Sequence, residues 1–232
     1  MRARAILIIA RRPIVRCLLI ASAIGWMTLA WLLKGDRLHP MVMPEHATHA
    51  TDQFATQWLV MVLAMTPPLL IREIGGAWRS SLRRTRYLTV ASFVIGYGAV
   101  WIIAGQVLAT LLAMMTQNTG YIVVSAIVAV LWHGSPARQR RLNACHRAPT
   151  LRVFGLAAQW DSIRYGMRSG GNCVAACILV MLLTFMVAKY HFAMMAIAAV
   201  GMTIERYLPA RHPRWRFAIG GRTSDWPAMD AA

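Results

Sequence analysis

The chain has 232 residues, of which 58% are hydrophobic and 14% charged, and its formal net charge is +17. An ordinary soluble domain carries about 25% charged residues, so this composition excludes that class. Strong basicity can signal nucleic acid, but 22 of the 25 basic residues fall in four short blocks, 2–16, 72–86, 138–168 and 206–222, between long apolar stretches. No basic face is continuous enough to follow a phosphate backbone, which excludes nucleic acid as a partner.

Lysine and arginine mark the cytoplasmic side of a membrane protein and approach its anionic headgroups. The alternation therefore predicts an all-α polytopic membrane protein with six transmembrane helices, both termini cytoplasmic and the lipid bilayer as its surroundings. Residues 1–16 form a basic interfacial segment, because the apolar run 5–10 is too short to span. Residues 17–208 hold the six-helix domain, and 209–232, rich in Pro and Gly, form a flexible cytoplasmic tail.

Span one covers 17–33. Its length and its exit through Trp31, Leu32, Leu33 and Lys34 argue for an uncleaved anchor rather than a secretory signal. An outside loop over 35–53 carries His39, Met41, Met43, His46 and His49. Span two, 54–71, contains Pro67-Pro68, which break the backbone ladder and predict a kink near the inner end. An inside loop with Gly75-Gly76 follows. Span three, 87–115, exceeds a ~30 Å hydrocarbon core at ~1.5 Å per residue and must tilt or protrude. After a polar turn, span four covers 121–133. The inside segment 134–171 includes a weakly amphipathic stretch over 156–168. Spans five and six, 172–188 and 190–205, form a hairpin, since one helix over both would be about 50 Å long.

The four cysteines are Cys17, Cys145, Cys173 and Cys177. All lie at or near the cytoplasmic side of this topology, where a reducing compartment disfavours structural disulfides. Cys173, Cys177 and Met181 recur at i, i+4 and i+8 and share one helix face. Thiolates and thioethers are soft ligands that suit Cu(I). Met61 and Met65 repeat the spacing in span two, and Met195 lies on one face of span six with His191 and Met202, ahead of Glu205. These residues are the candidate metal ligands. Each also has a purely structural reading. Methionine fills irregular cores, Cys173-x-x-x-Cys177 is a small-residue packing face, and Glu205 beside Arg206 fits an interfacial acid. Templates for hydrolases, nucleotide binding and zinc proteases are absent, so a covalent enzyme is not expected.

Several segments taken together resemble the predicted metal-binding integral membrane proteins of bacteria known as domain of unknown function 2182. They are Trp58-Leu-Val-Met-Val-Leu-Ala-Met65-Thr-Pro67, Gly96-Tyr97 with Trp101, and Leu131-Trp-His-Gly-Ser-Pro136 with the basic segment to Cys145. Gly166-Met-Arg-Ser-Gly170-Gly-Asn-Cys173-Val-Ala-Ala-Cys177, Met181, Met195 and Glu205-Arg206 complete the set, over about 55–208. The chain departs from that pattern in having Ala176 before Cys177 where the family has adjacent cysteines. It also lacks an earlier cysteine near Arg141, and Ile178 and Met194 stand where the family has tryptophan. The resemblance implies a metal-binding integral membrane protein of bacteria with fewer thiols than its relatives, and the Cys173, Cys177 and Met181 face adds the expectation of an inner-membrane protein that binds, delivers or moves a soft metal ion, most simply copper. The alternative is a structural or assembly subunit with no ligand of its own, joined to a membrane-protein partner or to its own copies through Gly166-x-x-x-Gly170.

Overall fold

The structure, a computed structural model, describes residues 13–34, 47–114, 119–146, 151–152, 154–186 and 190–215. Seven helices occur among them: α1 (Pro13–Lys34), α2 (Ala47–Ser80), α3 (Arg86–Met114), α4 (Thr119–His133), α5 (Pro136–Ala144), α6 (Gly155–Met186) and α7 (His191–Tyr207). No strand occurs among the described residues. Four helices, α1, α2, α3 and α6, are long and apolar enough to cross a membrane. The pair α4–α5, bent by 60°, adds a fifth if it counts as one crossing.

Helix α3 shows why this arrangement is compatible with lipid. It is apolar on every side, as a helix wholly surrounded by apolar groups must be. Phe93, Tyr97, Trp101 and Leu108 point into the core, while Ile95, Ile102, Ile103 and Val107 stand exposed on the outer surface. The bend between α4 and α5 has a local cause. Gly134 ends α4, Ser135 caps α5 by accepting a hydrogen bond from the Arg138 amide at 3.1 Å, and Pro136 begins the new helix. Proline at that position loses no helical hydrogen bond.

The Pro67-Pro68 pair lies inside α2 without ending it. Pro68 has no N–H to offer the carbonyl one turn earlier, which is that of Ala64. The Ser22 hydroxyl of α1 donates to that carbonyl at 2.6 Å, in a buried position. Close approach is what lets it reach. A side chain at Gly25 would stand 2.7 Å from the Ala64 nitrogen, so α1 and α2 touch backbone to backbone there. The freed carbonyl is thus satisfied by a neighbouring helix, as a membrane interior requires.

The tightest crossing joins α3 and α6. A methyl group added at Gly96 would overlap the Ile163 carbonyl, and one added at Gly166 would overlap the Phe93 carbonyl. A Cβ added at Gly170 would stand 3.2 Å from the Tyr97 carbonyl. The Gly166-x-x-x-Gly170 motif is therefore used within the chain, against α3. Ser92 donates to Gln159 at 2.8 Å across the same seam. Trp58 of α2 donates to the Trp101 carbonyl at 2.9 Å in the space that Gly105 leaves open. On α6, the Ala175 carbonyl accepts from Trp132 of α4 at 2.8 Å.

The observed elements revise several expected boundaries. Helix α1 begins at Pro13, within the segment expected at the interface, and 1–12 lie outside the described residues. The expected outside loop is already helical from Ala47, while His39, Met41, Met43 and His46 lie outside the description. Helix α2 continues through the expected inside loop to Ser80. It tolerates Glu73 because Arg206 of α7 neutralises that carboxylate. The segment expected inside over 134–171 holds α5 and the first half of α6. Helix α6 is one continuous 32-residue helix. At ~1.5 Å per residue it is about 48 Å long. Its N-terminal half is ordered because Ser162, Gly166 and Ser169 are buried.

A buried sulfur core and its charged floor

Helix α7 returns antiparallel to α6, as two contacts show. His191 meets the Thr184 carbonyl at 2.7 Å at one end. At the other, Arg138 of α5 donates to the Ala176 carbonyl at 3.0 Å while gripping Glu205 of α7. Between these ends, α2, α3, α6 and α7 enclose one hydrophobic core. It contains Cys173, Cys177 and Met181 from α6, Met61 and Met65 from α2, and Met195 from α7, all buried. Three helices, α2 and the consecutive α6 and α7, thus place six of the seven candidate ligands in one hydrophobic core. The Cys177 thiol donates to the Cys173 carbonyl at 3.0 Å, the bond expected of residues one turn apart.

Aromatic rings wall this core. Trp58 packs on Trp101 with ring centroids 5.7 Å apart, Tyr97 on Trp101 at 6.3 Å, and Phe54 on Phe185 at 5.5 Å. Such packing supplies large buried apolar area and keeps water from the sulfurs. Among the described residues no three His, Cys, Asp or Glu side chains come together. An ion held in this core would therefore draw on methionine as well as cysteine, a donor set suited to a soft monovalent cation.

Glu205 is placed differently. Its two carboxylate oxygens accept from the two terminal nitrogens of Arg138, at 2.5 and 3.3 Å, and His133 stands 3.4 Å away. This bidentate grip ties Glu205 to Arg138. Glu205 anchors α7 to α4 and α5 at the edge of the core.

Sequence reasoning missed the more deeply buried acid, Glu73, which is 2% exposed. It pairs with Arg206, itself 4% exposed, and the two tie α2 to α7. Together with Arg138 they form a charged floor beneath the sulfur core. The available signal was Glu73 itself, an acid following Arg72 in a segment otherwise counted by its arginines.

The segment after α5 docks on this floor. Arg72 donates to His146 Nδ1 at 2.8 Å. Burial, reinforced by the nearby Arg72 guanidinium, holds the His146 pKa below its ordinary value of 6.5. Burial likewise pushes the neighbouring Cys145 thiol up to about 11, with Arg206 opposing the shift. For His146 the unfolded chain binds the proton more readily, so its contribution to stability is full above about pH 6.5 and shrinks as pH falls toward the folded value. Titrating purified protein by histidine NMR should show His146 protonating below 6.5. An apparent pKa at or above 6.5 would mean that the ring is not packed against Arg72.

The described residues define an all-helical protein with several segments compatible with a membrane. More particularly, the chain belongs to the PpoB2 family of copper chaperones, which it matches over residues 55–226. That is a copper-related family, as the metal-binding resemblance implied, although it is not domain of unknown function 2182 by name. No curated protein and no solved structure matches the chain.

Proposed function

We propose that this protein is a membrane-embedded Cu(I) carrier that binds copper in the buried core and hands it on without covalent chemistry. Cys173, Cys177 and Met181 form the primary site, with Met61, Met65 and Met195 as neighbouring thioethers along the path. The observation that carries this reading is the burial of these six sulfur side chains in one core shared by three helices. Copper is the cargo, and soft donors in a dry site favour the monovalent ion. Membership of a copper chaperone family supports the same cargo.

The proposal includes six crossings in a bacterial inner membrane, with both termini cytoplasmic. Helices α1, α2, α3 and α6 supply four, the bent α4–α5 pair one, and α7 the last. At 17 residues, α7 is about 26 Å long, near the hydrocarbon thickness. The arginine blocks then lie at the end of the bundle where Arg138 and Arg206 form the charged floor, in accord with the positive-inside bias.

The test is the copper content of detergent-purified protein, by elemental analysis, beside a Cys173→Ser/Cys177→Ser variant. Near-stoichiometric copper in the parent and its loss in the variant are expected. Equal copper in both would sink the assignment.

A further inference from the structure

Two hydrogen-bond donors on α3 are buried with no well-formed partner: the Tyr97 hydroxyl and the Trp101 indole N–H. Buried donors are almost always satisfied, so two in succession on one helix face call for an explanation. Their position supplies one. Tyr97 and Trp101 are one helical turn apart and both face the sulfur core. The edge of the Tyr97 ring runs over Gly170, three residues before Cys173, with its Cδ2 atom 3.4 Å from where a Cβ would stand. Cys173 follows Gly170 by about one turn of the same helix and is buried in the same core as Tyr97 and Trp101. The bulk of the Trp58 ring and the glycine seam between α3 and α6 fix the two rings in place.

We infer that Tyr97, backed by Trp101, is a positioning residue for copper, aimed at the Cys173 sulfur and paired with it when that sulfur carries Cu(I). A neutral thiol is a weak acceptor, so the resting protein gives these donors little to bind. A copper-bound thiolate retains negative charge and accepts strongly. The donors are thus arranged for the loaded state, as preorganised dipoles are in other charged sites. The charges balance. Cu(I) enters with one positive charge, the Cys173 thiol releases one proton to water as the copper–sulfur bond forms, and the core keeps its net charge. Cys177, one turn on and kept as the neutral thiol, supplies the second sulfur bond, with Met181 a further turn away. In a core with low dielectric, uptake that leaves the charge unchanged avoids a large solvation cost.

The inference rests on the copper reading, and one experiment separates the two. The full chain in detergent is titrated with Cu(I) against a chromophoric chelator, and the ultraviolet thiolate-to-copper charge-transfer band is recorded. Tyr97→Phe keeps the ring and removes the hydroxyl. It is expected to weaken Cu(I) binding about ten- to a hundredfold, the weight of a hydrogen bond to a charged group. The band should also move to lower energy, because the sulfur lone pairs lose a stabilising donor. Trp101→Phe should move the band the same way by less, and it decides alone if Tyr97→Phe does not give folded protein. A parent that binds copper while the variants leave the band unmoved overturns the role of Tyr97 and leaves the copper site standing. A parent that takes up no copper overturns both.

Discussion

Replacing Arg206 with alanine is expected to destabilise the protein by about 3–5 kcal/mol, the usual consequence of breaking a buried ion pair from one side. Arg206 and Glu73 are 4% and 2% exposed and join α7 to α2 across 133 residues of chain. With the guanidinium gone, the carboxylate remains in a place it cannot leave, and its second oxygen already lacks a partner. Glu73→Ala should cost a similar amount by stranding Arg206. The double variant Glu73→Leu/Arg206→Met should recover most of the loss, since apolar groups of similar volume often replace a buried pair without penalty. Arg152→Ala is the contrast. Its ion pair with Asp161 is bidentate, at 2.7 and 2.8 Å, but exposed, so the unfolding transition should stay in place. Thermal unfolding in detergent, followed by far-ultraviolet circular dichroism, measures all four. A cost for Arg206→Ala below about 1 kcal/mol would show that the pair is solvated rather than buried.

This pair also shows where reading the chain stops. Arginine blocks report on topology because their count matters more than their individual contacts. Arg206 was one of five in its block, and nothing local marked it as a core residue. Glu73 followed Arg72 at an apparent span end, and only the packing of α7 on α2 shows that the helix continues past it. Local periodicity, by contrast, was informative. The i, i+4, i+8 spacing of Cys173, Cys177 and Met181 requires only that α6 be helical. That Met61, Met65 and Met195 share their core depends on tertiary packing, which no local pattern encodes. The proline pair behaved similarly. Its broken hydrogen bond was predictable from Pro68, whereas its repair by Ser22 depended on Gly25 letting α1 approach.

Gly166→Ala is expected to cost about 1–3 kcal/mol or more, although it adds one methyl group and raises intrinsic helix propensity. The reason is what the methyl meets. Its position overlaps the backbone carbonyl of Phe93, which cannot rotate away as a side chain can. Relief requires α3 and α6 to separate, and with them the faces that carry Tyr97 and Cys173. Copper affinity should therefore fall together with stability. Gly96→Ala meets the Ile163 carbonyl from the other helix and should behave alike. Gly171→Ala is the control, on the same helix five residues further on, where an added Cβ meets nothing within 4 Å. There the propensity gain stands alone, and the variant should be neutral or more stable by about 0.5–1 kcal/mol. If Gly166→Ala and Gly171→Ala unfold at the same temperature, the backbone contact between α3 and α6 does not hold the bundle together, and the placement of Tyr97 over Gly170 loses its support.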